Sequence, residues 1–88
     1  MGRAGEAEQH FLRLAEQHPE SLLSWRGLQG ARLALQPIES VRGAARLEVE
    51  ARPEDSIAWY LLGRSLIKRP EEARPAFERA LELNPSNA

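Results

Sequence analysis

The sequence WYLLGRSL at residues 59–66, followed by ARPAFERA at residues 73–80 and then by Pro85, decides how the chain folds. In the first segment the Trp and Leu residues recur at intervals of three and four, the spacing of one side of an α-helix. In the second segment alanines recur with helical spacing around Phe77. The two segments therefore predict two consecutive helices, the second of them ended before the proline.

The same marks recur upstream in weaker form. The copies are Trp25-x2-Leu28, Val41-x3-Ala45 and Pro53, preceded by a partial copy made of Ala7-x3-Phe11, Leu14 and Pro19. The three prolines that close the copies lie 34 and then 32 residues apart. Residues 19–21 (Pro-Glu-Ser) and 53–55 (Pro-Glu-Asp) are near copies in equivalent places. The chain is therefore predicted to contain an internal repeat with a period near 34 residues.

Five helices are predicted, at about residues 4–17, 22–35, 37–51, 57–68 and 70–83. Ser21 is a good N-cap for the second helix, and Asp55 or Ser56 for the fourth. Pro75 falls beyond the first turn of the fifth helix, where it removes a backbone hydrogen bond and clashes with a carbonyl. We therefore expect a kink or a frayed start in that helix.

The order of Trp, Leu-Gly, Ala, aromatic and Pro at this period resembles the tetratricopeptide repeat family. The resemblance implies an all-α fold of antiparallel helix-turn-helix repeats, stacked as a short right-handed α-solenoid. It implies one domain over residues 1–88, with about two and a half units and five helices. We expect an orphan B helix at 4–18, a degenerate repeat at 21–53 and a well-formed repeat at 55–85.

The first full repeat departs from the family pattern at three positions. Gln29 stands where glycine is usual, Arg32 where an aromatic residue is usual, and Glu48 where alanine is usual. Polar groups at a helix crossing are unfavourable unless they are paired. These side chains are therefore expected either to pair with each other or to be displaced to the surface. A stripe of small residues, Gly27, Ala31 and Ala34, predicts tight packing on the next helix or contact with a bound peptide.

Composition excludes several classes of function. With 88 residues and a net charge of −1, the chain lacks the general positive charge of a nucleic-acid-binding protein. It has no Cys, no apolar run long enough to cross a bilayer and no secretory signal at its start. We expect a cytoplasmic location, and the periplasm stays open as the alternative if the native protein starts elsewhere.

No combination of residues predicts an enzyme, a cofactor or a metal site. His10 and His18 are the only histidines, and the pair Glu6 and His10 supplies too few ligands for a metal. Glu71-Glu72 is an acidic pair suited to a helix N-terminus rather than to catalysis. The sequence has no glycine-rich phosphate loop.

The resemblance implies that the A helices line a concave groove for a peptide or partner protein. The residues carried over to this groove are Leu23, Arg26, Gly27, Gly30, Leu33, Ile57, Tyr60, Leu61, Arg64 and Lys68. The set combines apolar residues, one Tyr and three cations, which predicts a partner with acidic groups. The alternative is that these cations are only solvated.

A second hypothesis is self-association. Array ends need polar caps, and apolar residues at both ends could leave surface uncovered. The candidates are Phe11, Leu14, Phe77, Leu81 and Leu83. The chain is then a homo-oligomeric assembly module or a piece of a longer array.

Overall fold

The structure is a computed structural model that describes residues 2–85. These residues form five α-helices: α1 (Gly2–Gln17), α2 (Leu22–Leu35), α3 (Ile38–Ala51), α4 (Ser56–Ser65) and α5 (Pro70–Leu83). Within this range no β-strand is present, and the predicted all-α class is confirmed. The bounds of α2 and α5 are those predicted from the sequence, whereas α4 ends earlier.

The residues group into two compact units. Unit 1 comprises Met1–Val41 and unit 2 comprises Arg42–Ala88, so that the boundary falls inside α3. The predicted repeats divide the chain between α3 and α4 instead. Each unit has its own buried residues and its own pair of packed helices, α1 with α2 and α4 with α5.

Unit 1 is built on the packing of α1 against α2. Ala15 of α1 is fully buried, and Leu28 and Ala31 are the buried apolar residues of α2. The ring of Phe11 lies where a side chain on Gly27 would be, so the glycine lets the two helices approach. Tight packing was predicted at this glycine, but against the next helix; the contact is with the preceding one.

Two glycines of α2 are predicted to respond oppositely to substitution by alanine. A Cβ on Gly27 would overlap the Phe11 ring, whereas a Cβ on Gly30 would meet nothing within 4 Å. Gly30→Ala should raise the free energy of unfolding by about 1 kcal/mol, the difference in helix propensity. Gly27→Ala should lower it by about 1 kcal/mol, because overpacking exceeds that gain. Urea denaturation followed by circular dichroism measures both, and shifts of the same sign would contradict the packing.

Unit 2 contains a contiguous apolar core. Its buried members are Ala45, Val49, Ala58, Leu62, Leu66, Ala73 and Ala76, with Trp59 and Phe77 packed against them at the edge. The residues come from α3, α4 and α5 and, in the case of Leu66, from the turn after α4, and most of those on α3 and α5 are small. Small residues at a helix crossing allow close approach, so large side chains of α4 fill the space between the helices.

The starts of α2 and α4 are fixed in the same way. Ser21 accepts the backbone N–H of Ser24 at 3.3 Å, and Asp55 accepts that of Ile57 at 2.9 Å. Both are the predicted N-caps, with Asp55 rather than Ser56 capping α4. Each helix also carries a Trp whose indole N–H donates to the carbonyl of the proline six residues earlier, at 2.9 Å in α2 and 2.8 Å in α4. The two Trp residues therefore tie each helix to the turn before it.

The predicted end of α4 near Lys68 is wrong, because the helix ends at Ser65. Leu66 has left helical geometry, with φ −105° and ψ 15°, and its N–H bonds to the carbonyl of Gly63 at 3.0 Å. The N–H of Arg69 then bonds to the carbonyl of Leu66 at 2.7 Å. These tight turns separate α4 from α5 by four residues, and Arg69, the residue before Pro70, has extended backbone (φ −125°, ψ 76°), as a following proline favours. Lys68 therefore lies in a turn and not on α4.

The predicted frayed start of α5 is not observed. The helix is continuous from Pro70 to Leu83, with Pro75 inside it. The N–H groups of Glu72 and Ala73 both donate to the carbonyl of Arg69 at 2.9 Å, which closes the first turn. Pro75 is exposed, so water can bind the carbonyl that its ring leaves without a donor.

The polar residues of the degenerate repeat do not form the predicted pair of Arg32 with Glu48. Arg32 Nε donates to Glu8 Oε2 of α1 at 3.3 Å, and Glu48 accepts from Arg52 one turn along α3. Glu48 is exposed, as the second version of the hypothesis expects. Gln29 is buried, at the position where α4 carries Gly63.

Candidate protein-interaction surface

Three of the groove residues predicted on α2 form an exposed row. Leu23, Arg26 and Gly30 lie three and four residues apart and are all exposed. Leu23 is 73% exposed, more than the other exposed large apolar residues of the described range. An exposed Leu can contact an apolar group, and an exposed Arg can contact an acidic group. Gly30 has no side chain that would block the approach to the backbone.

The other two residues predicted on α2 are less open. Leu33 is half-buried, and Gly27 faces the Phe11 ring in the α1–α2 pair. Packing within unit 1 therefore accounts for the glycine at position 27, and contact with a peptide is not needed to explain it.

On α4 the residues Tyr60, Leu61 and Arg64 are half-buried. Tyr60 and Arg64 are one helical turn apart and lie on the side of α4 opposite to the buried Ala58 and Leu62. An aromatic ring and a guanidinium are therefore on the same side of α4.

Tyr60 is held in place by a second aromatic residue. Its ring centroid lies 5.7 Å from that of Phe77 on α5, with the planes inclined at 60°. Phe77 in turn covers Gly63, where an added Cβ would lie 2.7 Å from the ring. Such a pair adds about 0.5–1.5 kcal/mol beyond area burial, so the contact with Phe77 orients the Tyr60 ring.

The remaining two residues of the predicted α4 set are placed differently from the prediction. Ile57 is only 9% exposed and belongs to the core, so it offers little surface to a partner. Lys68 is exposed, but it lies in the turn between α4 and α5. The sequence pattern placed both on one helical stripe because it assumed that α4 continues to Lys68.

One stretch of the chain matches a protein-family model. Residues 56–87, which contain α4, the turn and α5, match the model of the tetratricopeptide repeat. These residues are similar to a tetratricopeptide repeat. None of the curated proteins compared with the chain matches it. Tetratricopeptide repeats generally mediate protein–protein interaction, and the family is typically not enzymatic.

The geometry of this segment accounts for the residues that carry the similarity. Gly63 and Phe77 form the close crossing of its two helices, and Trp59 and Leu62 pack at the core. Trp59 also bonds through its indole to the carbonyl of Pro53. The Trp residues therefore have structural roles.

The predicted self-association residues differ in availability. Phe11 and Phe77 pack over glycines inside their helix pairs, so their rings contribute to the packing of each unit. Leu14 and Leu83 are half-buried, whereas Leu81 is 44% exposed on α5. Of the five candidates, Leu81 has the most open surface.

A buried arginine in unit 2 was not predicted from the sequence. Arg42 of α3 is only 9% exposed, and its Nε donates to the carbonyl of Ser65, the last residue of α4, at 3.2 Å. A cation at the C-terminal end of a helix satisfies a terminal carbonyl and interacts favourably with the helix dipole. The sequence did contain a signal for its burial. Arg42 is next to Val41 and three residues before Ala45, two residues on the buried side of α3.

Neither a helix long and apolar enough to cross a membrane nor a cluster of three metal-binding side chains occurs among residues 2–85.

Proposed function

We propose that the chain is a protein-interaction module that binds a segment of a partner protein carrying acidic and apolar side chains. The arrangement on α4 carries this proposal: Tyr60, fixed by Phe77, stands one turn before Arg64, and the exposed Lys68 follows in the turn. A preoriented Tyr gives contact area with little loss of conformational entropy. The two cations suit carboxylates, since charge-assisted hydrogen bonds are among the stronger polar contacts.

The exposed row on α2 has the same chemistry. Leu23 supplies apolar surface, Arg26 supplies a cation, and Gly30 leaves space beside the backbone. A single groove lined by both α2 and α4 remains a prediction. The experiment therefore tests the Arg64 and Arg26 variants separately.

Charge reversal at Arg64 tests the proposal. A short fluorescent peptide rich in Glu and Leu should bind the chain, and the same peptide with Gln for Glu should bind at least about tenfold more weakly. Arg64→Glu should weaken binding of the Glu peptide by about tenfold or more, since a charged hydrogen bond is worth about 1.5–3 kcal/mol. Fluorescence anisotropy titration measures the dissociation constants, and Arg26→Glu forms the second arm.

The matched control is Arg74→Glu on α5, an exposed cation outside the proposed surface. It changes the net charge of the chain by the same amount as Arg64→Glu, so it corrects for long-range electrostatics. Equal losses in the two variants, or equal affinity for the Glu and Gln peptides, would reject the proposed surface.

A further inference from the structure

Two carbonyl groups at the end of α4 lack the backbone donors that a longer helix would give them. In a continued α-helix the N–H of Leu66 would donate to the carbonyl of Leu62. The N–H of Arg69 would donate in the same way to the carbonyl of Ser65. Instead these two N–H groups donate to the carbonyls of Gly63, at 3.0 Å, and of Leu66, at 2.7 Å. The carbonyls of Leu62 and Ser65 therefore need other donors.

Two side chains supply these donors. Ser65 Oγ donates to the carbonyl of Leu62 at 2.7 Å, and Arg42 Nε donates to the carbonyl of Ser65 at 3.2 Å. Ser65 and Arg42 are both buried, so an unpaired carbonyl at this place would be costly in free energy. Arg42 comes from the preceding helix α3, and its guanidinium therefore stabilises the turn that follows Ser65.

The turn carries two neighbouring cations with different surroundings. Arg69 Nη1 lies 3.6 Å from Glu72 Oε2, and Glu72 also accepts from Arg46 of α3 at 3.4 Å. Lys68 is exposed and forms no ion pair with any residue in the range 2–85. Lys68 is therefore the cation of this turn that a partner's carboxylate can bind without displacing an ion pair.

The end of α4 determines where Lys68 lies relative to Arg64. In a helix that continued, Lys68 would stand one turn after Arg64, in line with Tyr60. Because Leu66 already has non-helical backbone, with φ −105° and ψ 15°, Lys68 is no longer on that line. The spacing of the two cations thus depends on the turn, and the turn depends on the hydrogen bond from Arg42.

We propose that Arg42 is a positioning residue of the interaction surface. By donating to the Ser65 carbonyl it holds the turn in which Lys68 meets a second carboxylate of the partner, distinct from the one at Arg64. The inference rests on the proposed function and deepens it, since the partner segment then presents two acidic side chains at a fixed separation. Arg42 itself is buried and does not touch the partner.

Amide hydrogen exchange measured by NMR tests the positioning role without a peptide. Arg42→Met should speed the exchange of the Leu66 and Arg69 amides by about tenfold or more relative to amides in the middle of α4, because the turn loses a buried charged hydrogen bond. Arg42→Lys keeps a charged donor and should restore most of the protection.

The matched control is Ala80→Gly in the last turn of α5, at the end of that helix away from the turn. Ala80 is 6% exposed, so the substitution destabilises unit 2 through lost helix propensity and a lost buried methyl group. It should change the exchange of the turn amides and of the amides in the middle of α4 by the same factor, as general destabilisation does.

A double-mutant cycle on peptide binding tests the link between Arg42 and Lys68. In the native chain, Lys68→Gln should weaken binding of the Glu peptide by about fivefold, the upper range for an exposed ion pair. In the Arg42→Met background the same substitution should change the affinity by less than about twofold, because Lys68 is no longer held in reach. In the Arg42→Lys background the fivefold effect should return. The charge lost with Arg42 cancels, since the cycle compares the same substitution in each background.

The inference is overturned if Arg42→Met speeds exchange of the turn and of the middle of α4 equally, as Ala80→Gly does. It is also overturned if Lys68→Gln weakens binding by the same factor in the native and Arg42→Met backgrounds. Failure of the proposed function looks different: the native chain does not bind the Glu peptide, while the turn amides still respond selectively to Arg42→Met. That result rejects the role of Arg42 in binding and leaves it only as a cap of α4.

Discussion

Replacing Phe77 by alanine is expected to lower the free energy of unfolding of unit 2 by about 3 kcal/mol. The ring packs on the core of α3, α4 and α5, covers Gly63 and orients Tyr60 at a centroid distance of 5.7 Å. A chain of 88 residues has a total stability of about 4–13 kcal/mol, so the loss is a large part of it. Urea denaturation followed by Trp59 fluorescence in a Trp25→Phe background measures the effect in this unit.

Gly63→Ala tests the close contact between Gly63 and the Phe77 ring separately from the packing of the rest of the core. In the native chain the added methyl would lie 2.7 Å from the Phe77 ring, and the ring cannot move freely because Tyr60 packs on it. The variant should therefore be destabilised by about 1–2 kcal/mol, despite the better helix propensity of alanine. In the Phe77→Ala background the methyl has room, and the same substitution should stabilise the unit by up to about 1 kcal/mol. A Gly63→Ala effect that keeps its sign in both backgrounds would show that the ring does not cause it.

Replacing Arg42 by methionine is expected to lower the free energy of unfolding by about 2 kcal/mol. Methionine keeps the apolar stem but removes the Nε that donates to the Ser65 carbonyl at 3.2 Å. The carbonyl is then left without this donor at the buried end of α4, where Ser65 is 0% exposed. The same denaturation experiment measures the loss, which should change little with salt because the pair is buried.

Arg46→Met is the matched control for Arg42. Arg46 lies one turn further along α3 and pairs with Glu72 at 3.4 Å, but its side chain is 50% exposed. Such a surface pair contributes about 0–1 kcal/mol, and salt should reduce that value further. If Arg42→Met and Arg46→Met had equal effects, the buried hydrogen bond would not be what stabilises the end of α4.

Local signals predicted most of the helical structure correctly. Leu22–Leu35 and Pro70–Leu83 were predicted to the residue, because a capping serine, a helix-starting proline and the following prolines mark their ends. Asp55 was one of the two predicted caps of α4, and it accepts the N–H of Ile57 at 2.9 Å. These features depend on residues within one turn of each other, which a sequence displays directly.

Errors arose where packing outweighed local pattern. Apolar residues continue to Ile67, and the pattern extended α4 to Lys68, but the helix ends at Ser65 and Leu66 is buried with non-helical backbone. Pairing of Glu48 with Arg32 was one of two expected alternatives, and it does not occur, because the two side chains have different partners, Arg52 and Glu8. Spacing along the chain gave no information on which side chain across a helix interface lies within reach.

For the proposed interaction surface, the resemblance to the family suggested Tyr60, Arg64, Leu23 and Arg26, and these residues remain a prediction. It could not show that Ile57 is buried or that Phe11 fills the place beside Gly27. It included Leu81 among five apolar candidates without separating it from Phe77, which packs into its own helix pair. Exposure depends on which helix covers a residue, and that is a property of the packed molecule.

The sequence by itself determined that this chain is all-α and that residues 56–87 match the tetratricopeptide repeat, because helix periodicity, caps and prolines act over a few residues. The tertiary structure alone decided where α4 ends, which glycines admit an aromatic ring, and that Arg42 satisfies the last carbonyl of α4. It also decided that Leu81 is exposed while Ala15 and Val49 are buried. These outcomes require atoms distant in sequence to come within contact distance, and the free energy of that contact is set by the three-dimensional packing.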